Sequence, residues 1–189
     1  MEEPTALVAA LDALLPQTQC TRCGYDGCRP YAEALAAGTT ALNRCPPGGE
    51  ATIRALAARL QRPALPLDPA CGSEGPPLLV WIDAARCIGC ARCLPPCPTD
   101  AIVGARRVLH TVIPELCTGC ELCLPACPVD CIVLRPRTGA DGEAPTAADN
   151  RRRYQAHQAR ARERSHAQAE LLEQRKHLVG ASPPSPHGS

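Results

Sequence analysis

The chain has 189 residues, with Pro 21, Gly 14, one Trp, three Tyr and no Phe. That is length for one or two small domains, but too few large side chains and too many helix breakers for a large hydrophobic core. A formal net charge of +1 gives no overall attraction to a polyanion, which leaves the 14 Cys as the outstanding feature.

The first residues, "MEEPTALVAALDALLPQTQC", carry two glutamates where a secretory signal would carry basic side chains, and Asp12 interrupts the apolar run. No later segment supplies the ~20 apolar residues of a membrane span. The expected compartment is therefore the cytosol, where thiols stay reduced and clustered cysteines hold metal rather than each other.

Residues 1–62 read as short helices around a cysteine group. Thr5 is the expected cap of "ALVAALDALL", whose Leu7, Leu11, Leu14 and Leu15 follow helical spacing, and "EATIRALAARL" sets Ile53, Leu56 and Leu60 on one face. Cys20, Cys23 and Cys28, in "CTRCGYDGC", are joined by the distant Cys45. On spacing alone these four thiols suit either a [4Fe-4S] cluster or zinc. Residues 63–77, "PALPLDPACGSEGPP", read as a linker in which Cys71 stands alone.

Residues 78–135 contain a repeat. "CIGCARCLPPCPTDAIV" starts at Cys87, and "CTGCELCLPACPVDCIV" starts thirty residues later at Cys117. Both have the spacing C-x2-C-x2-C-x3-C-P, in which three close thiolates bind one [4Fe-4S] cube and the fourth serves the other cube. The expected sets are Cys87, Cys90, Cys93 and Cys127, and Cys117, Cys120, Cys123 and Cys97. Gly89 and Gly119 allow close backbone approach, and Pro98 and Pro128 turn the chain after the crossing ligand. A four-cysteine zinc site competes poorly, because such sites use two separated pairs. Cys131 aligns with Ala101 and is expected to pack rather than ligate. "LLVWID", "AIV", "VLHTVI" and "CIV" are the expected strands, with His110 a strand histidine rather than an acid or base. Five acidic residues (Asp83, Asp100, Glu115, Glu121, Asp130) balance five arginines (86, 92, 106, 107, 135) in this region.

Residues 136–189 read as a basic helical or disordered tail. Thr146 and Asp149 resemble a capping box that opens a polar helix running to about Val179 with Gly180 as its stop, and "ASPPSPHGS" is an expected disordered end. The helix lacks an apolar stripe, so a solvated helix is expected.

"LPQTQCTRCGYDGCRPYAEALAAG", "NRCPPGGEATI" and the two loops joined by "AIVGARRVLHTVIPELCTGC" together resemble the RnfB subunit of the Rnf-type electron transport complex. The resemblance runs from about Leu15 to Leu134. It implies an α+β chain: a small helical [4Fe-4S] module, a bacterial two-cluster ferredoxin-like fold, then the polar tail. It also implies iron at Cys20, Cys23, Cys28 and Cys45, hence three [4Fe-4S] clusters, and an electron-relay role among redox partners: Rnf-type subunits, a flavoprotein or ferredoxin. That family usually begins with a hydrophobic anchor, whereas this chain starts almost at the first module. The expectation is a cytoplasmic protein, soluble or peripheral on the cytoplasmic face of the inner membrane. No G-x-G-x-x-G or P-loop is present, and neither nucleotide nor nucleic-acid binding is expected. A free-standing polyferredoxin and a zinc-binding interaction module are the alternatives.

Overall fold

Pro4 rather than Thr5 marks the start of the first helix, α1 (Pro4–Leu14), in the computed structural model, which describes residues 3–180. Proline is pre-set for a first helical position and lacks the N–H that would go unpaired there, so no side-chain cap is needed and Thr5 lies inside the helix. α2 (Cys28–Ala36) and α3 (Gly49–Leu60) complete a small helical core. Leu11, Leu15, Tyr31, Leu35, Leu42, Ile53 and Leu56 are buried there beside Cys23, Cys28 and Cys45, with Leu60 packed at the margin. The Tyr31 hydroxyl donates to the Ala41 carbonyl at 2.9 Å and accepts from the Arg44 amide at 3.2 Å, fixing the loop that delivers Cys45.

The segment after α3 does not swing free, although its composition predicts a linker. The Asp68 amide donates to the Asn43 carbonyl at 2.8 Å, and a Glu74 carboxylate oxygen accepts from the Glu50 amide at 3.0 Å. Glu74 thereby caps α3, whose own first residues include glycines with no side chain to do so. Cys71 is correspondingly buried, its Sγ 3.8 Å from Asp68 Oδ2, and it interacts electrostatically with Cys23; it is not isolated.

Two small antiparallel sheets follow. β1 (Leu78–Ile82) pairs with β4 (Ile132–Pro136), with Val80 opposite Leu134, and β2 (Ile102–Val103) pairs with β3 (Thr111–Val112). Each pairing joins the strand leaving the fourth cysteine of one loop to the strand entering the first cysteine of the other. "VLHTVI" contributes only two residues of strand because Arg107 takes a left-handed φ of 64° and its amide donates to the Gly89 carbonyl at 2.8 Å. That bond ties the segment to the first cysteine loop instead of to a neighbouring strand. His110 consequently precedes β3 rather than lying in it, and is buried.

The chain divides after Tyr154 into two compact units. The final helix, α4 (Ala147–Gly180), opens as expected: Thr146 Oγ1 donates to Asp149 Oδ2 at 2.7 Å and accepts from the Asp149 amide at 3.1 Å. Its first turns pack on α1, where Arg151 forms an ion pair with the buried Asp12 at 3.0 Å and donates to the Asp12 carbonyl at 2.6 Å. Asp12 is thus the anchor for a segment 139 residues away. From Arg162 to His177 every residue is exposed, as the missing apolar stripe requires. The expected disordered end "ASPPSPHGS" lies outside the described residues. No described helix is long and apolar enough to cross a membrane.

Candidate metal centres

The strand pairings bring eight of the predicted cysteines into two sets, and the helical core brings four more into a third. One cavity is lined by Cys87, Cys90, Cys93 and Cys127, a second by Cys97, Cys117, Cys120 and Cys123, and a third by Cys20, Cys23, Cys28 and Cys45. Each encloses only about 10 Å³, the same in all three although the third arises from an unrelated helical scaffold. The crossing of fourth cysteines follows from the sheets: β2–β3 carries Cys97 to Cys117, and β1–β4 carries Cys127 to Cys87.

The two halves of the repeat share their local geometry closely. The Ala101 amide donates to Cys97 Sγ at 3.2 Å, and the Cys131 amide donates to Cys127 Sγ at 3.4 Å. Gly89 and Gly119 have φ of 65° and 67°, and a Cβ at either would lie under 3.0 Å from backbone atoms, of Val108 and Leu78 respectively, so glycine is required twice over.

One feature extends to all three sites and could not be read from residue types. Cys90 is flanked by left-handed Gly89 and Ala91, Cys120 by Gly119 and Glu121, and Cys20 by Gln19 and Thr21. Left-handed backbone is costly for residues with a Cβ and persists where the surroundings over-determine it. Around Cys20 that constraint is a buried glutamine network. Gln19 Oε1 accepts from the Cys28 amide and Gln19 Nε2 donates to Gln17 Oε1, both at 2.9 Å, and Gln17 Nε2 donates to the Asp12 carbonyl at 2.7 Å.

Four thiols line each cavity, and such a set suits a [4Fe-4S] cube, which takes one thiolate at each of four separated corners. All 14 cysteines are free thiols. Burial pushes the Cys28, Cys45 and Cys123 thiols up to about 12 and those of Cys93 and Cys120 up to about 11. Without metal these groups hold their protons, so loading must release them.

The first cavity is also lined by His110 and Cys131. His110 Nδ1 is 3.6 Å from Cys87 Sγ, and Cys131 Sγ is 3.4 Å from Cys127 Sγ. Burial, then the bond to Cys127, pushes the Cys131 thiol up to about 12. Despite burial, the Cys127 thiol is lowered by bonds from the amides of Val129, Cys131 and Ile132 and from Cys131 Sγ; as a cluster ligand Cys127 would carry no proton, which would leave Cys131 Sγ to donate. The second cavity has Ala101 at the equivalent place. Cys131→Ala is expected to leave the iron content unchanged and lower the midpoint potential of one cluster. Losing a bond of ~0.5–1.5 kcal/mol corresponds to about 20–65 mV for one electron. Redox titration followed by EPR measures this; a loss of iron would instead make Cys131 a ligand.

Known iron-sulfur families match the same two segments of the chain. Residues 80–134 match the family described as "4Fe-4S dicluster domain" and residues 15–47 the family described as "Putative Fe-S cluster". A protein of Pseudomonas aeruginosa, named as the RnfB subunit of the ion-translocating oxidoreductase complex, is 62% identical over 103 residues, covering 54% of this chain and 53% of that protein. Proteins of the same name from Alkalilimnicola ehrlichii and Azoarcus sp. are each 54% identical, over 113 and 114 residues, covering 59% and 60% of this chain and 60% and 62% of theirs. The chain spans little more than half the length of these relatives.

Proposed function

We propose that this chain, a homologue of the RnfB subunit of ion-translocating oxidoreductase complexes, is the iron-sulfur electron-transfer subunit of an Rnf-type complex and relays single electrons through three [4Fe-4S] clusters. The observation that carries the reading is the recurrence of one cavity, four thiols and a left-handed flank at Cys20, Cys90 and Cys120. When bound, such clusters exchange one electron at a time at potentials set by their surroundings.

The chain's own residues supply position and environment. Residues 78–135 would hold two clusters in a ferredoxin-like arrangement with Cys97 and Cys127 as crossing ligands, and residues 1–62 would hold the third through Cys20, Cys23, Cys28 and Cys45. Residues 63–77 connect the two modules, and residues 136–189 form the tail. The third site faces the second: the Thr118 hydroxyl donates to the Thr18 carbonyl at 3.3 Å, and Arg22 pairs with Glu121. These contacts orient the helical module toward Cys117 and Cys120, giving an order of third site, second site, first site. Buried side chains such as Leu79, Ile82, Ile102 and Ile132 exclude water between the two paired sites. The proposed partners are other Rnf-type subunits, a flavoprotein or ferredoxin. The proposed location is the cytoplasmic face of the inner membrane, consistent with 14 thiols in reduced form.

A relay without a nucleotide site should not oxidise NADH. Anaerobically purified, cluster-loaded protein is expected to keep its visible absorbance when mixed with NADH alone and to bleach once a flavin-bearing Rnf-type partner is added. Bleaching by NADH alone would overturn the relay reading.

A further inference from the structure

The two cysteine loops are related by the internal repeat, yet their outer faces have different fates. Around the second loop the face is covered, with Thr118 bonded to Thr18 and Glu121 paired to Arg22. Around the first loop the equivalent face is open: Ile88, at the position of Thr118, is 60% exposed.

Beside Ile88 the chain places two more uncovered apolar residues, Val108 and Leu109, 54% and 56% exposed. The Gly89 backbone is packed on that of Arg107 and Val108, and the Arg107 amide donates to Gly89, so the loop and this segment form one surface. Arg92, Arg106 and Arg107 line an open cleft there together with Cys90, which also lines the first cavity. All three arginines are exposed, and none makes an ion pair among the described residues. The ten charges that balance along residues 78–135 are therefore not balanced here.

We propose that Ile88, Arg92, Arg106, Arg107, Val108 and Leu109 form the docking surface for an acidic electron-carrier protein, which exchanges electrons at the site of Cys87, Cys90, Cys93 and Cys127. The inference rests on the relay reading above and deepens it by naming which end of the wire is open and what fits it. An apolar centre ringed by unpaired positive charge is the usual composition of a protein interface, and the charges steer a partner of opposite sign. A partner seated there would bring its own redox centre against Cys90, which lines both the cleft and the first cavity. That gain is specific to a redox protein; a lipid surface would obtain only the charge.

The test uses the full cluster-loaded chain and a chemically reduced bacterial ferredoxin of strongly negative net charge, with cluster reduction followed by stopped flow. Arg106→Glu together with Arg107→Glu is expected to lower the second-order rate about tenfold at low salt and to flatten its salt dependence. Reduction by methyl viologen radical, a small cation that needs no docking surface, should not slow, and Arg106→Lys with Arg107→Lys should keep the rate. Should the charge reversal cost iron, the Arg106→Gln, Arg107→Gln pair carries the same comparison with a smaller expected effect. Equal ferredoxin rates in all variants would overturn the docking surface while leaving the relay intact. So would arginine-dependent flotation with phosphatidylglycerol vesicles without any change in ferredoxin rate. A wild-type chain whose absorbance neither reagent bleaches would sink the relay itself, and the docking surface with it.

Discussion

Replacing Cys97 with alanine is expected to remove the cluster whose other three ligands lie further along the chain, in the second loop of the repeat, lowering iron from about 12 to about 8 atoms per molecule. The pairing of β2 with β3 puts Cys97 in the same cavity as Cys117, Cys120 and Cys123, and away from the other thiols of its own loop. Cys97 is buried and accepts from the Ala101 amide, so no neighbouring thiol can slide into its place without breaking the start of β2. The measurement is anaerobic iron analysis together with EPR of the reduced protein. The residual spectrum of Cys97→Ala should match that of Cys120→Ala. A match to Cys90→Ala instead would mean that each loop holds its own cluster. Cys71→Ser is the control: Cys71 is buried but lines none of the three cavities, and full iron content is expected.

Iron removal is expected to unfold residues 78–135 while leaving α1–α3 largely helical. The buried set of the repeat region is six aliphatic residues (Leu79, Val80, Ile82, Ala101, Ile102 and Ile132) and five cysteines. Two sheets with paired segments this short cannot offset the backbone entropy of so long a region. Metal ligation has to supply the difference, as in other small metal-held domains. The helical module is built differently, with Tyr31 and a set of leucines closed around its thiols. Hydrogen exchange on chelated protein should show amide protection in the strands falling at least ~100-fold, about 2.8 kcal/mol, with much smaller losses in α1 and α3. Retained protection in β1 and β4 would show that the sheets stand alone.

Much of the site was legible in the sequence because ligand spacing is a local property. C-x2-C-x2-C admits few ways of presenting three thiols, and the repeat announces a second copy, so the two sets of four cysteines that share a cavity could be written down from the chain alone. Cys20, Cys23, Cys28 and Cys45 were legible as a set but not as to metal, since spacing is silent about how far apart the sulfurs stand once folded. Three cavities of nearly equal size and the shared left-handed flank bear on that point. Neither is visible in residue types, because Gln19, Thr21, Ala91 and Glu121 have no intrinsic preference for that backbone.

Other readings failed where a distant partner or a neighbouring residue overrode a local signal. Thr5 looked like a cap, but Pro4 already satisfied the helix start. "VLHTVI" looked like a full strand, but the bond from Arg107 to Gly89 pulled half of it onto the first loop. Cys71 looked solitary in a proline-rich stretch that in fact folds back over α3.

What the sequence determined by itself was the inventory: three sets of four thiols, glycines where backbone must come close, and a solvated helix at the end. Each follows from chemistry acting within a few residues. Tertiary structure alone decided which loop face is covered by the helical module and which stays open, how Asp12 anchors Arg151, and that Cys131 and His110 adjoin the first site and not the second. These depend on contacts between segments far apart in the chain, where small differences between two repeated loops, Ile88 against Thr118 or Ala101 against Cys131, set which surface is buried and which thiol has a donor beside it.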